Sequence, residues 1–460
     1  MASVRVGFGR TEITPPVGVE LAGYGPFLRR RSTAVRSPLW ARAVAVDDGD
    51  GQWVLVSCDL LGISEPLVAD VTRLVERSTG FAADEIFVHA THTHSGPATV
   101  PEFIGWGAPD ELYLAQLPGR IAGACQRAAR DLAPAEFELG SAVLPGFTYD
   151  RMRTRSAPDN CAGLAGEWRP AQPTPHIDEV EVAVVRRGGA VAGYLVTYGC
   201  HPVVCGEQTI EIHGDYPAVA LTLLEAAHPN TFGVFLQGAM GDLNPTFAHG
   251  PAELSYTATD VYGRRLADAV ERAIGATTPC RATPVWSATV SLDGNLASFE
   301  ESSLAAELEA AEATLDAAPM NTLDEGEALA GVLVVSLRRT LALLRERCPV
   351  ERPVRIASLA AGDFRLVGAN LELFHDIKRR VREEVAPLRP WVVSLVGGYL
   401  GYAPTPDAFT SPAPRYPAYE VPRYICHLPF TPQISERIVA AMAAHGELPR
   451  PTRSTTGGPD

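Results

Sequence analysis

Short apolar runs of β type alternate along most of this 460-residue chain with amphipathic helical stretches, and no other feature restricts its fold as strongly. The runs cover 41–46, 53–59, 85–90, 179–185, 191–199 and 232–238, and the helical stretches cover 66–78, 111–132 and 260–274. Alternation of this kind buries a sheet under helices, so the expected class is α/β: a mixed sheet with flanking helices in a single large domain over 1–445. Residues 302–347 are rich in Ala, Leu and Glu and are broken at Pro319-Met320-Asn321. They predict a helical hairpin inserted between strands near 284–292 and 354–359. Its plainest role is a packed surface layer, with a substrate lid or a dimer contact as alternatives. The aperiodic stretch 144–178 predicts a long loop of the kind usually tied to function, and 446–460 predicts a disordered tail.

Charge and composition narrow the partners. A formal net charge of −15 repels phosphate backbones and anionic headgroups, which argues against nucleic acid. The one lysine, Lys378, leaves almost no room for a Walker A loop or Schiff-base chemistry. The N-terminus shows none of the three regions of a secretory signal, and no apolar run reaches the length of a membrane span. Eight sparse, irregularly spaced cysteines do not form a disulfide framework. These features predict a cytoplasmic protein with no stable membrane anchor. A homo-oligomer is left open.

The chemistry concentrates at strand ends. In EIFVHATHTHSGPAT a β-run carries His89, His92 and His94 before Ser95-Gly96-Pro97 turns the chain. Alternation along the strand puts His92 and His94 on one face and His89 on the other. A second apolar run ends at His201, which a proline follows. Neutral imidazole is the commonest metal ligand and zinc needs three or four donors, so two such histidines make half a site. Cys200 and Cys205 flank His201 as C-H-x-x-x-C, an alternative soft trio whose spacing matches no paired-cysteine pattern. Later donors are harder to select. Glu372 falls in a predicted first helical turn, where the helix dipole alone explains it, and Tyr399 and Tyr402 lie in a Gly- and Tyr-rich loop where packing is the plainer role.

An ordered set of motifs runs from about residue 4 to 420: VGFGRTEITPP, ATHTHSGP, YDRMR, the His201 segment with GDYPA, QGAMGDLNP, LVGANLELF, and GYLGYAPTPDAF with AYE. In this order they resemble the neutral ceramidases, zinc-dependent amide hydrolases that cleave N-acyl sphingoid bases, and their short bacterial relatives. The resemblance implies zinc held by His92, His201, Glu372 and Tyr402. It also implies that His94 and Arg151 face the substrate, one beside the attacked carbonyl and the other at its oxygen or a neighbouring hydroxyl. Zinc would then supply an acidified water as nucleophile.

Three departures qualify the likeness. Asn244 stands where the family carries a serine, so a hydroxyl nucleophile there is in doubt whereas a metal–water mechanism survives. Leu371 precedes Glu372 where a glycine is usual. The chain also ends before the immunoglobulin-like domain of secreted ceramidases, so a substrate other than extracellular ceramide is expected. The resulting expectation is a zinc hydrolase acting on the carboxamide of a small or medium N-acyl compound. In it, Arg151 and Tyr402 steady the oxyanion, His94 shuttles the proton, and Asp242 orients a ligand histidine unless it only forms a turn. Acyl transfer or ester hydrolysis on the same site, and a non-catalytic metal-binding relative, are the rival readings.

Overall fold

Every β-run singled out above forms a strand in the computed structural model, which describes residues 4–154, 158–317, 325–410 and 415–447. Most strands fall in three mixed sheets of four or five strands, with three two-stranded ribbons beside them, in place of the one sheet expected. The first runs in the order Ile86–Ala90, Gln52–Cys58, Trp40–Asp47, Arg5–Glu12, Ala133–Pro134. The second runs Phe232–Gln237, Ala190–Tyr198, Glu179–Arg187, Glu136–Val143, Thr278–Cys280. The third runs Val285–Leu292, Val354–Ala361, Phe364–Ala369, Trp391–Val393. Each sheet has a single parallel pair, at one edge: Gln52–Cys58 with Ile86–Ala90, Ala190–Tyr198 with Phe232–Gln237, and Phe364–Ala369 with Trp391–Val393.

One face of all three sheets meets in a shared core that includes Val44, Val46, Trp53, Leu55, Phe87, Phe137, Leu195, Leu236, Leu359, Phe364 and Trp391. The opposite face of the first sheet carries Ala41, Ala43, Val54 and Val56, packed with Val71 and Val75 of the helix Glu65–Thr79 and Leu117 and Ile121 of the helix Glu111–Arg130. Helices Asp215–Ala227 and Ala252–Gly275 cover the second sheet in the same way, and His375–Glu384 and Ile434–Glu447 cover the third. Strands buried on both faces need apolar residues at every position, which is why these segments read as continuous apolar runs.

The segment 393–397 stitches the sheets together. Ser394 N–H donates to Gln237 O at 2.8 Å, Leu395 N–H to Leu371 O at 3.1 Å and Gly397 N–H to Val88 O at 2.8 Å. Two helices, Glu301–Asp316 and Glu325–Arg345, form the inserted hairpin between the paired strands Val285–Leu292 and Val354–Ala361. Its expected break at 319–321 lies outside the described residues. The helix Ile434–Glu447 runs two residues into the stretch expected as a tail, and 448–460 lie outside the described residues. The stretch 144–178 is less loop-like than expected. Thr148–Asp150 pairs antiparallel with Leu243–Pro245, and Asn160–Ala165 is helical with the Asp159 side chain capping it. Among the described residues no helix is long and apolar enough to cross a membrane.

Candidate metal centre and active site

One strand from each sheet's parallel pair points a candidate donor into a common space. His92 lies two residues beyond Ala90, His201 three beyond Tyr198, and Glu372 three beyond Ala369. The pleat does not set the histidine geometry, because the strand has already ended at Ala90. His92 instead sits at φ +71°, a turn that brings its ring edge-on to His94, with centroids 4.8 Å apart. His89, still within the strand, points away as expected. Its Nδ1 is 2.9 Å from Ser57 Oγ and its Nε2 accepts from Gln237 N–H at 3.0 Å, so it is a structural histidine.

Backbone carbonyls settle the tautomers of the two ligand candidates. His92 Nδ1 lies 2.6 Å from Leu61 O, and His201 Nδ1 lies 2.8 Å from Met240 O and 3.1 Å from Leu243 O. Each Nδ1 therefore carries the proton and each Nε2 keeps a lone pair. Those lone pairs meet the same carboxylate oxygen, Glu372 Oε2, at 3.0 Å from His201 and 3.5 Å from His92. All three side chains are buried. Acceptor facing acceptor away from water is an unfavourable contact that a cation between them would reverse. Protonating His92 is another remedy, and burial opposes it, pushing that imidazole down to about 4 against the attraction of Glu372. Burial alone would raise the Glu372 carboxyl, but the imidazoles and the Tyr399 hydroxyl outweigh it and bring the group to about 2. Two imidazoles and a carboxylate suit zinc.

Tyr402 is brought beside this cluster by a short parallel ribbon in which Glu372 stands opposite Tyr402. Its hydroxyl accepts a hydrogen bond from Arg151 Nη2 at 2.9 Å, and the same nitrogen donates to Gly241 O at 2.8 Å. Burial raises the Tyr402 phenol well above its ordinary range, with Arg151 working against the shift. His94 has both ring nitrogens buried without a hydrogen-bond partner, and ring nitrogens of His92, His94 and His201 all lie within 4.8 Å of one another. Burial, reinforced by His92 and His201, holds His94 well below the usual histidine range, so it is neutral at pH 7. Gly23, at φ +106°, makes room for it, since a Cβ there would stand 2.4 Å from His94 Nδ1.

Asp242 is placed differently from the expectation. Its carboxylate accepts from His375 N–H at 2.9 Å and pairs with His375 Nδ1 at 2.5 Å, so it orients neither His92 nor His201. The turn around it does that work through main-chain atoms, the Met240 and Leu243 carbonyls on His201 and the Asp242 carbonyl on Arg151 N–H at 2.9 Å. The soft-thiol alternative does not assemble. Burial pushes both Cys200 and Cys205 upward as thiols, Cys205 Sγ pairs with Thr259 Oγ1, and Cys200 packs into the apolar core of the second sheet.

Some contacts and wall residues escaped the sequence reading, in which packing is the plainer role for Tyr399. The Tyr399 hydroxyl donates to Glu372 Oε1 at 2.8 Å, which leaves Oε2 for the histidines. The cavity in front of the cluster, of about 300 Å³, is walled by Tyr24, Trp106, Tyr416, Tyr424 and Leu329 together with His94, Arg151, His201, Asn244 and Tyr402. Aromatic residues scattered over 400 positions carry no shared sequence signal; only Tyr399, three residues before Tyr402, stood inside a segment already singled out.

Residues 4–252 match the family model described as neutral/alkaline non-lysosomal ceramidase, N-terminal. This chain belongs to the neutral/alkaline non-lysosomal ceramidase family. The ceramidase match contains His92, His94, Arg151, His201 and Asp242, whereas Glu372 and Tyr402 lie beyond it. Two solved ceramidase structures share the fold over the whole chain. The crystal structure of neutral ceramidase from Pseudomonas aeruginosa superposes with a TM-score of 0.71 at 18% identity, covering 100% of this chain and 77% of that one. A ceramidase complexed with C2 gives 0.70 at 16% identity, with coverages of 97% and 75%. Membership of the ceramidase family and this fold support a hydrolase of an amide bond.

Proposed function

We propose that this protein is a zinc-dependent hydrolase that cleaves the carboxamide of a small or medium N-acyl compound with metal-activated water. The carrying observation is the buried contact of two Nε2 lone pairs with one carboxylate oxygen, which calls for a cation. His92, His201 and Glu372 would hold the ion, with Tyr402 as fourth donor. Zinc, when bound, supplies Lewis acidity and lowers the pKa of water toward about 7. His94, neutral and without a hydrogen-bond partner, takes a proton on a ring nitrogen and returns it to the leaving amine. Arg151 keeps its charge although burial disfavours it, because Tyr402 and Glu372 lie close. Its guanidinium borders the cavity and steadies the developing oxyanion, a role worth about 3–4 kcal/mol for a well-placed donor. We place the protein in the cytoplasm, where its eight sparse, irregularly spaced cysteines would stay reduced.

The test is elemental mass spectrometry of the purified protein and of His92→Ala, His201→Ala and Glu372→Ala, followed by product analysis on a panel of N-acyl amines and N-acyl amino acids. About one zinc per chain, lost in the variants, with free acid released from the panel, is expected. Zinc retained in all three variants would sink the ligand set. An amide of an added competing amine accumulating faster than free acid would replace hydrolysis with acyl transfer.

A further inference from the structure

The cavity in front of the metal cluster is closed in part by the inserted hairpin. Leu329, on the helix Glu325–Arg345, lines it beside Trp106 and Tyr424. The adjoining Val332 is fully buried in the same apolar cluster as Trp106, Tyr402 and Tyr424, and Leu329 and Leu333 pack against that cluster. The contact is tight from the other side too. A Cβ on Gly105 would meet Val332 Cγ2 at 3.2 Å and the Phe27 ring at 3.4 Å, and Phe27 N–H donates to Gly105 O at 2.7 Å. Three chain segments distant in sequence therefore meet at Val332, and Leu329, partly buried one turn away on the same helix, faces the cavity from that anchored turn.

The space this wall leaves is small. A volume of about 300 Å³, divided by the roughly 30 Å³ that a molecule of water takes up in the liquid, holds about ten non-hydrogen atoms. A two-chain sphingoid amide has several times that number. Building on the zinc-hydrolase reading above, we infer that the substrate is a short N-acyl compound with about ten non-hydrogen atoms inside the cavity, and that Leu329 is the specificity residue that sets this limit. Deleting three side-chain carbons from Leu329 lengthens the accepted group by two or three methylenes. A larger ring at the same position shortens it.

Two homologous series are assayed on the zinc-loaded full chain: p-nitroanilides of straight-chain acids from two to sixteen carbons, and N-acetyl alkylamines of the same lengths. Wild type, Leu329→Ala and Leu329→Phe are compared by kcat/KM, with thermal melts to confirm that each is folded. In at least one series wild-type kcat/KM is expected to fall at least tenfold past about eight carbons. Leu329→Ala then raises the ratio of long to short substrate at least tenfold, and Leu329→Phe lowers it. A wild-type profile that is flat out to sixteen carbons, or a cut-off that neither folded variant moves in either series, overturns the inference and leaves the hydrolase reading standing. Absence of amide cleavage across both series by zinc-loaded wild type overturns both.

Discussion

His92 occupies the left-handed region of backbone space, where a residue with a Cβ carries a strain of about 1–3 kcal/mol. The strain is tolerated because Leu60 O accepts its N–H and Leu61 O holds its Nδ1, which leaves Nε2 facing Glu372. Tyr399 does the same for the carboxylate, and Tyr399→Phe removes that single hydrogen bond without altering the packing of the ring. Zinc affinity, measured by competition with a chromogenic chelator, is expected to weaken about 10–100-fold while the melting temperature of the metal-free protein stays close to wild type. His89 shows the other use of a buried imidazole. Burial pushes it down to about 3 from an ordinary value near 6.5, so below pH 6.5 the unfolded chain takes up a proton that the folded chain refuses. Its contribution to stability is whole above pH 6.5 and drains away as the pH falls toward 3. In urea titrations the advantage of wild type over His89→Gln is expected to narrow by about 2 kcal/mol between pH 7 and pH 5.

At the scale of elements, strands and helices were readable because strands buried on both faces need unbroken apolar runs and covering helices need one apolar stripe. The helix expected at 260–274 begins earlier, at Ala252, because its first turns pack Ser255 and Ala258 inward and carry few of the large apolar residues that mark a stripe. Which strands pair was not readable, since a run of valines does not name its neighbour, and so one expected sheet became three large ones with three two-stranded ribbons. What joins the elements is partly ionic. Arg382, on the helix that covers the third sheet, reaches Glu179 at 2.6 Å and Glu181 at 2.5 Å on the second. Arg382→Ala leaves the Glu181 carboxylate, 7% exposed, with only Lys378 at 3.3 Å in its place. A loss of about 3 kcal/mol is expected, toward the lower end for a broken buried pair, seen as a lower urea midpoint at unchanged m-value.

For the molecule as a whole, three of the four candidate ligands, His92, His201 and Glu372, follow strands of three different sheets, so a bound ion would tie together three sheets that already share a core. An ion held only by the folded state stabilises it by about 4 kcal/mol at a thousandfold excess over its Kd. Removing metal with a chelator is therefore expected to lower the melting temperature by several degrees, and zinc added back to restore it. Magnesium at the same concentration restores nothing, because it prefers an octahedron of oxygen ligands to imidazole nitrogen.

The sequence by itself determined the class of fold, the strand and helix content, and the two histidines that follow strand ends, because local periodicity and the chemistry of imidazole are written in neighbouring residues. It also ordered the motifs that marked the family. Only the tertiary structure decided that Asp242 serves His375, that Tyr399 carries the Glu372 carboxylate, and that Leu329 of the hairpin stands in the cavity wall. Those contacts join residues far apart in the chain or facing in directions that no local pattern encodes, and they exist only once the three sheets have closed on their common core.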